Sequence, residues 1–450
     1  MTSTDTIQSI WPCGPAAEQL LLNIYNDYCT ANPTAHAMAT RMHNTAGVLL
    51  HHVIDHWMLP SGYINLADFP EFEPSATPDG DPLWRATGTS LPPIRIDDTG
   101  RLNSPRMAIH VDCISDFIDA WDLPDTGRMG DTDSGYEEAR FRLEAGELAV
   151  VARCGYSGYR PGELPAPALR IVRSVRERLN NRDRSGETLT AIARCYKLLG
   201  PMLEEIGQDR TTDEFFAAER TFYVSRCKAA QVQLNLQNEI GIGWANQDHH
   251  TYRSSREGFR ALMRIWSLLG FRHRERYYAG AEAGWGAQIV EHAVSRVVIF
   301  SDVDIAPTEL DINFAEELLP ARTELGTIGL WCGLHGDSIA AAGMHHLECE
   351  YDFSAASAAL NKAGIGVMKP FTDMPVLKQA FTVGETWAVM PERIQALLDA
   401  GSITAEQAKR FAELGATGSH LELLQRWQGF KGFNKTGVSE IILATDARAN

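Results

Sequence analysis

Asp248-His249-His250-Thr251-Tyr252-Arg253 is the stretch on which the reading of this chain turns. A strand shows alternate residues on one face, so His249 and Arg253 share a face and His250 points the other way. Two later segments carry matching chemistry: Met344-His345-His346-Leu347-Glu348, and Glu422-Leu423-Leu424-Gln425-Arg426 followed by Lys431-Gly432-Phe433. By the same alternation only one of His345 and His346 looks into a cavity, while Glu422 and Arg426 share a face. Each segment therefore offers one ligand, two imidazoles and a carboxylate in all. On one face of a metal that set leaves positions open for a substrate and O₂, the mark of non-haem Fe(II) oxygenases. A 2-oxo acid chelates such a metal through its keto oxygen and one carboxylate oxygen. A second substrate carboxylate would need a cationic anchor, and arginine binds carboxylate bidentately; Arg253 is placed for that role.

Taken singly, these residues read more plainly. A His-His doublet on a strand is an ordinary polar pair, Glu422 a solvated strand residue, Arg253 a salt-bridge partner. Trp244, Trp266, Trp285 and Trp331 read as core. Joint occurrence in this strand order carries the reading. A rival site, His110-Val111-Asp112, begins like a facial triad but has no well-spaced distal His after it. Asp55-His56 echoes Asp248-His249, with Pro60 where Arg253 would stand: a trace of duplication, or chance. Phosphate loops, a nucleophile elbow and zinc-knuckle spacings are absent from the sequence.

At 450 residues the chain is too long for one ordinary core. Apolar content of 44% and charged content of 22% are those of a globular protein. The net charge of −17 speaks against nucleic acid or an anionic membrane as partner. Met1–Ile10 lacks the order of a signal peptide, and no apolar run reaches the length of a membrane span. Eight scattered cysteines without a CxxC pair read as free thiols of a cytoplasmic protein.

Apolar spacing predicts helices over 16–28 and 35–57, then loops with short strands over 60–105. Strands are expected at 109–113, 139–143 and 148–154, with a short helix at 115–121. Residues 155–167, rich in Gly and Pro, form the best linker. Helical patterning returns over 168–237, with breaks near 180–184 and at Gly200-Pro201. After Asn246 the order is strand 248–254, helix 256–269 stopped by Gly270, and strands 271–278 and 295–304. A second unit repeats it: strand 345–351, helix 354–363, strands 367–370 and 381–390, a helical insertion over 392–413, and strand 419–426. The matching order suggests an internal repeat. The domain reading is 1–160, an N-terminal α+β unit open to being a degenerate non-metal copy; 161–240, a helical connector; and 241–450, the metal-binding domain. A homodimer is allowed.

Residues from about 240 to 446 resemble the 2-oxoadipate dioxygenase/decarboxylase (hydroxyglutarate synthase) family of the vicinal oxygen chelate superfamily, distantly like 4-hydroxyphenylpyruvate dioxygenase. The family's Asp-His-x-Ala-aromatic-Arg motif is met by Asp248 to Arg253. Its Asn-His-Leu-Thr motif is met by His345-His346-Leu347-Glu348, with His345 in place of Asn and Glu348 in place of Thr. Ser295 to Val303 is similar to the strand that follows the first motif, and Ser419 to Arg426 with Lys431-Gly432-Phe433 to the third. The resemblance implies an α+β fold of βαβββ units forming a half-open sheet cup, with added helices. It implies Fe(II) held by His249, His346 and Glu422. Arg253 would anchor a substrate carboxylate, with Gln379 and Arg426 lining the pocket. The implied activity is decarboxylating dioxygenation of a 2-oxo acid, with the substrate and O₂ as small-molecule partners. Two readings keep the fold without that chemistry: a divalent-metal isomerase or lyase, and a non-enzymatic metabolite-binding protein.

Overall fold

The computed structural model describes residues 11–372, 374–434, 441 and 445–448. The reading of Met1–Ile10 lies outside the described residues. The chain opens with helices α1 (Pro15–Ala31) and α2 (Pro33–Ala46), then strands β1 (Ile54–Pro60), β2 (Phe72–Ala76), β3 (Pro82–Ala86), β4 (Ile94–Asp97) and β5 (Arg106–His110). Helix α3 (Ile114–Trp121) leads to β6 (Arg128–Asp131), β7 (Tyr136–Arg142) and β8 (Glu147–Arg153). These strands form one sheet in the order β2-β3-β4-β1-β5-β8-β7-β6.

Helices α4 (Ala166–Asn180), α5 (Thr188–Ile206), α6 (Gln208–Val224) and α7 (Lys228–Asn238) come after it. Next are β9 (Gln247–Arg253), α8 (Arg256–Leu268), β10 (Arg272–Tyr278), β11 (Trp285–Glu291), β12 (Val298–Asp304) and α9 (Thr327–His335). The last part holds β13 (His346–Glu350), α10 (Phe353–Lys362), β14 (Leu377–Phe381), β15 (Thr386–Trp387), α11 (Pro391–Asp399), α12 (Ala405–Leu414), β16 (Ala416–Thr417) and β17 (His420–Arg426). The second large sheet runs β10-β11-β12-β9-β13-β17-β14.

The fold is α+β, and the second sheet is a pair of βαβββ modules. β9-α8-β10-β11-β12 is one module. The other is β13-α10, the Val367–Thr382 bridge, β14 and β17, with β15, α11, α12 and β16 inserted before its last strand. The modules meet where β9 pairs antiparallel with β13, and each places its last strand parallel to its first.

The first sheet repeats this plan strand for strand. β1 is parallel to β4, β1 antiparallel to β5, and β5 parallel to β8. A short 3₁₀ turn at Leu66–Asp68 stands where the other modules have a helix. The central bulge also recurs. Ile54↔Ile109 and Trp57↔Met107 flank Asp55-His56, as Gln247↔Cys349 and His250↔Leu347 flank Asp248-His249. The Asp-His echo thus falls at equivalent places on equivalent strands.

Several expectations are corrected. The helix expected over 35–57 stops at Ala46, because Gly47 adopts φ +70° at its C-terminus, and a Cβ there would collide with the Ala356 backbone. Beyond it lies strand β1, whose apolar spacing imitates helical periodicity. Pro201 lies inside α5, so the expected break at 200–201 does not form. Strand β11 was not foreseen. The strand expected over 381–390 is instead Leu377–Phe381 with a two-residue strand at Thr386–Trp387. All eight cysteines are free. Among the described residues no helix is long and apolar enough to cross a membrane.

Candidate metal centre

The alternation along β9 is set by what each face packs against. His250 and Tyr252 point to the helical layer. The His250 ring lies 5.1 Å from Phe216, and the Tyr252 ring 4.9 Å from Trp266, which is fully buried in α8. Burying an aromatic side chain of this kind is worth roughly 1.5–3 kcal/mol, so register is fixed from this side. His249, Thr251 and Arg253 are thereby turned to the other face, the cup. There the His249 ring meets Phe300 at 4.4 Å, and Phe433 packs on Phe300 at 4.9 Å.

β13 and β17 run parallel with His346 opposite His420 and Glu348 opposite Glu422. The result is a convergence. His346 Nε2 lies 3.0 Å and His249 Nε2 3.6 Å from Glu422 Oε2. Donor atoms of the three residues fall within 4.8 Å of one another, and all three side chains are buried. A metal with ligand bonds of about 2.1 Å places neighbouring donors about 3 Å apart, so the spacing fits a divalent ion on one open face.

The surrounding hydrogen bonds orient these donors. His249 Nδ1 lies 2.7 Å from Glu348 Oε2; with the carboxylate accepting, Nδ1 carries the proton and Nε2 presents its lone pair. Gln379 Nε2 donates to Glu348 Oε1 at 2.7 Å. Glu348, where the resembled family has Thr, thus steers His249, and Gln379 acts through Glu348. Thr251 Oγ1 lies 2.8 Å from His346 Nε2.

Burial pushes the carboxyls of Glu422 and Glu348 up to about 7, partly opposed by His249. Burial pulls the His249 imidazole down, but Glu348 and Glu422 outweigh it and its pKa is raised. Burial keeps His346 well below the usual imidazole range, so it is neutral, as a ligand must be.

Arg253 is 2% exposed, with its guanidinium 5.5 Å from the Trp331 ring. Its Nε and Nη2 have no hydrogen-bond partner. Asp302 stands opposite it across the β9–β12 pairing, its carboxyl pushed up to about 7 by burial against the pull of Arg253. Arg253 is thus a buried cation with unused donors on the strand face of His249, an arrangement that can receive an anionic group.

His345 departs from expectation. It precedes the first residue of β13, so the pleat does not turn it away. Its Nδ1 lies 2.9 Å from His346 Nδ1, and its ring packs on Trp331 at 5.2 Å and His420 at 4.7 Å. His420 and Asp302 were missed by sequence reasoning. His420 sits two before Glu422 on one strand, so alternation places it on the ligand face. The structure turns Arg426 away from the three donors, to Asp248, to Glu350 (3.4 Å) and to the Phe430 carbonyl. In the rival motif, Asp112 accepts the Trp244 N–H at 2.7 Å, and neither it nor His110 joins a possible metal cluster among the described residues.

The first sheet has no equivalent triad. Register makes His56, Arg106 and Ala149 the counterparts of His249, His346 and Glu422. His56 Nδ1 is held by Asp55 at 2.7 Å, and its ring is covered by Tyr159 at 4.6 Å. The Asp55–Arg153 ion pair (2.8 Å) repeats Asp248–Arg426.

No protein-family profile and no curated protein sequence matches this chain. Similar solved structures include a presumed hydrolase from Shewanella frigidimarina, 13% identical over 50% of this chain and 98% of that one, at TM-score 0.35. Another is hydroxyglutarate synthase from Oryza sativa, solved with 2-oxoadipate: 14% identity, 53% and 94% coverage, TM-score 0.35. A methylmalonyl-CoA epimerase from Mycobacterium tuberculosis is 12% identical over 41% of this chain and 89% of its own, at TM-score 0.23.

Proposed function

We propose that this protein is an Fe(II)-dependent enzyme that decarboxylates and hydroxylates a 2-oxo acid at the expense of O₂. The observation that carries the reading is the conjunction on the cup face. Two imidazoles and a carboxylate converge within 4.8 Å, and four residues along β9 from His249 lies a buried arginine with unused donors.

His249, His346 and Glu422 would hold the metal, which when bound supplies a chelation edge for the 2-oxo acid and the means to activate O₂. Arg253 receives a carboxylate of the substrate through Nε and Nη2 and fixes its orientation. Glu348, held by Gln379, keeps the His249 proton on Nδ1. Phe300, Phe381 and Trp331 surround the centre with apolar rings that limit water. The substrate serves as its own 2-oxo donor, so added 2-oxoglutarate is not needed.

The test is anaerobic reconstitution with Fe(II), then exposure to O₂ with a panel of 2-oxo acids. CO₂ release matched to O₂ uptake should follow for at least one of them. Turnover of a substrate without O₂ uptake, with Zn(II) or Mn(II) as effective as Fe(II), would instead establish an isomerase or lyase.

A further inference from the structure

A cavity of about 310 Å³ lies at the seam of the two sheets, and none of His249, His346 and Glu422 lines it. Its walls are apolar: Leu21 of α1, Leu49, Ile54 and Trp57 of β1, and Leu91. One end is polar, formed by Glu18, His52, Glu350 and Arg426. Two of these side chains are more than nine-tenths buried, His52 at 9% and Arg426 at 7% exposure. Yet His52 Nδ1 and Arg426 Nε have no hydrogen-bond partner. The Glu350 carboxylate sits between them, 3.5 Å from His52 Nε2 and 3.4 Å from Arg426 Nε, without closing a hydrogen bond to either.

We propose that this cavity binds a free apolar α-amino acid. The ammonium group lies against Glu350 and Glu18. The carboxylate takes the unused Nε of Arg426. The side chain fills the space between Leu21, Leu49, Ile54, Trp57 and Leu91.

Both signs of charge are needed. An apolar amine would leave the Arg426 donor unpaired, and a simple carboxylic acid would set a third carboxyl group beside Glu18 and Glu350 with no ammonium to offset it. A zwitterion carries both charges on one carbon, which suits a polar end where acids and an arginine lie side by side. The volume is at the lower limit of small-molecule pockets, which fits a ligand of amino-acid size.

The site is wired to the candidate metal centre. Arg426 also pairs with Asp248, whose Oδ2 lies 3.5 Å from His249 Nδ1. A ligand drawing on Arg426 alters the field at His249, and any such coupling is reciprocal. Binding itself does not depend on the metal reading, so the test is run without metal.

Calorimetry on the full chain in chelator, with L-leucine, L-phenylalanine, isopentylamine, 4-methylpentanoate and glycine, decides it. Leucine or phenylalanine should bind at least about tenfold tighter than the amine or the acid, the effect of losing one charged hydrogen bond, and tighter than glycine, which leaves the apolar walls unfilled. Leu49→Trp, at a half-buried position, should fill the cavity and abolish that binding while circular dichroism and Fe(II) affinity stay as in the parent. Absence of heat and of thermal shift with either amino acid at millimolar concentration overturns the proposal. So does equal binding of the amine or the acid, or undiminished binding to folded Leu49→Trp.

Discussion

Glu348 shows how one buried carboxyl sets the chemistry of its neighbour. It accepts from His249 Nδ1 at 2.7 Å, so replacing it by Gln removes the charge that favours this tautomer. Glu348→Gln should weaken Fe(II) binding about 10- to 100-fold without abolishing it, as judged by anaerobic titration. The carboxyls also make metal binding pH-dependent. Glu422 and Glu348 are pushed up to about 7 in the metal-free protein, against an ordinary value of 4.5. Between those values the native state holds more protons than the unfolded chain, so these groups make metal-free stability fall as pH rises. Metal takes the deprotonated carboxylate, so its affinity grows over the same window. The metal-induced rise in Tm should therefore be small near about pH 5.5 and large near about pH 8; a pH-independent rise would contradict this. Arg253→Met should raise KM about 10- to 100-fold with a smaller effect on kcat, since it removes charged hydrogen bonds to the bound acid. At this scale the sequence was informative because spacing of two and four along a strand translates directly into a shared face. It was uninformative where the strand ended, as at His345, and where the partner lay on another strand, as for Asp302.

Among elements, α9 closes the cup by bringing Trp331 over Arg253 and His345. Its N-terminus is held by the Asp304 carboxylate, which accepts the N–H groups of Gly326, Ile328 and Gly329 at 2.7, 3.1 and 2.9 Å. These are donors that a helix cannot satisfy internally. Asp304→Ala should cost about 2 kcal/mol in chemical denaturation and raise KM while leaving Fe(II) affinity nearly unchanged. The strand–helix–strand order after Asn246 was legible because α8 and α10 have clear apolar stripes and glycine stops. β1 was hidden behind α2, since Val53, Ile54 and Trp57 continue a helical spacing. The positive φ of Gly47, the packing of Ala356 against it and a 3₁₀ turn at Leu50–Val53 separate the two elements.

Across the molecule, the two sheets share one plan, down to the bulge at Asp55-His56 and Asp248-His249 and the ion pairs from each Asp to Arg153 and Arg426. Strand pairing reveals this likeness. The sequence offered only the Asp-His echo, because backbone register needs few particular side chains. The plan was kept while the ligands were not: Arg106 and Ala149 stand where His346 and Glu422 would be. The whole chain should therefore bind one Fe(II), and His56→Ala should leave that stoichiometry unchanged in metal analysis.

The most direct measurement is equilibrium Fe(II) binding, under anaerobic conditions, to the parent protein and to His249→Ala, His346→Ala and Glu422→Ala. The parent should take up one equivalent, and each variant should lose tight binding, with folding retained by circular dichroism. Folded variants that bind Fe(II) with the parent's stoichiometry and affinity would contradict this.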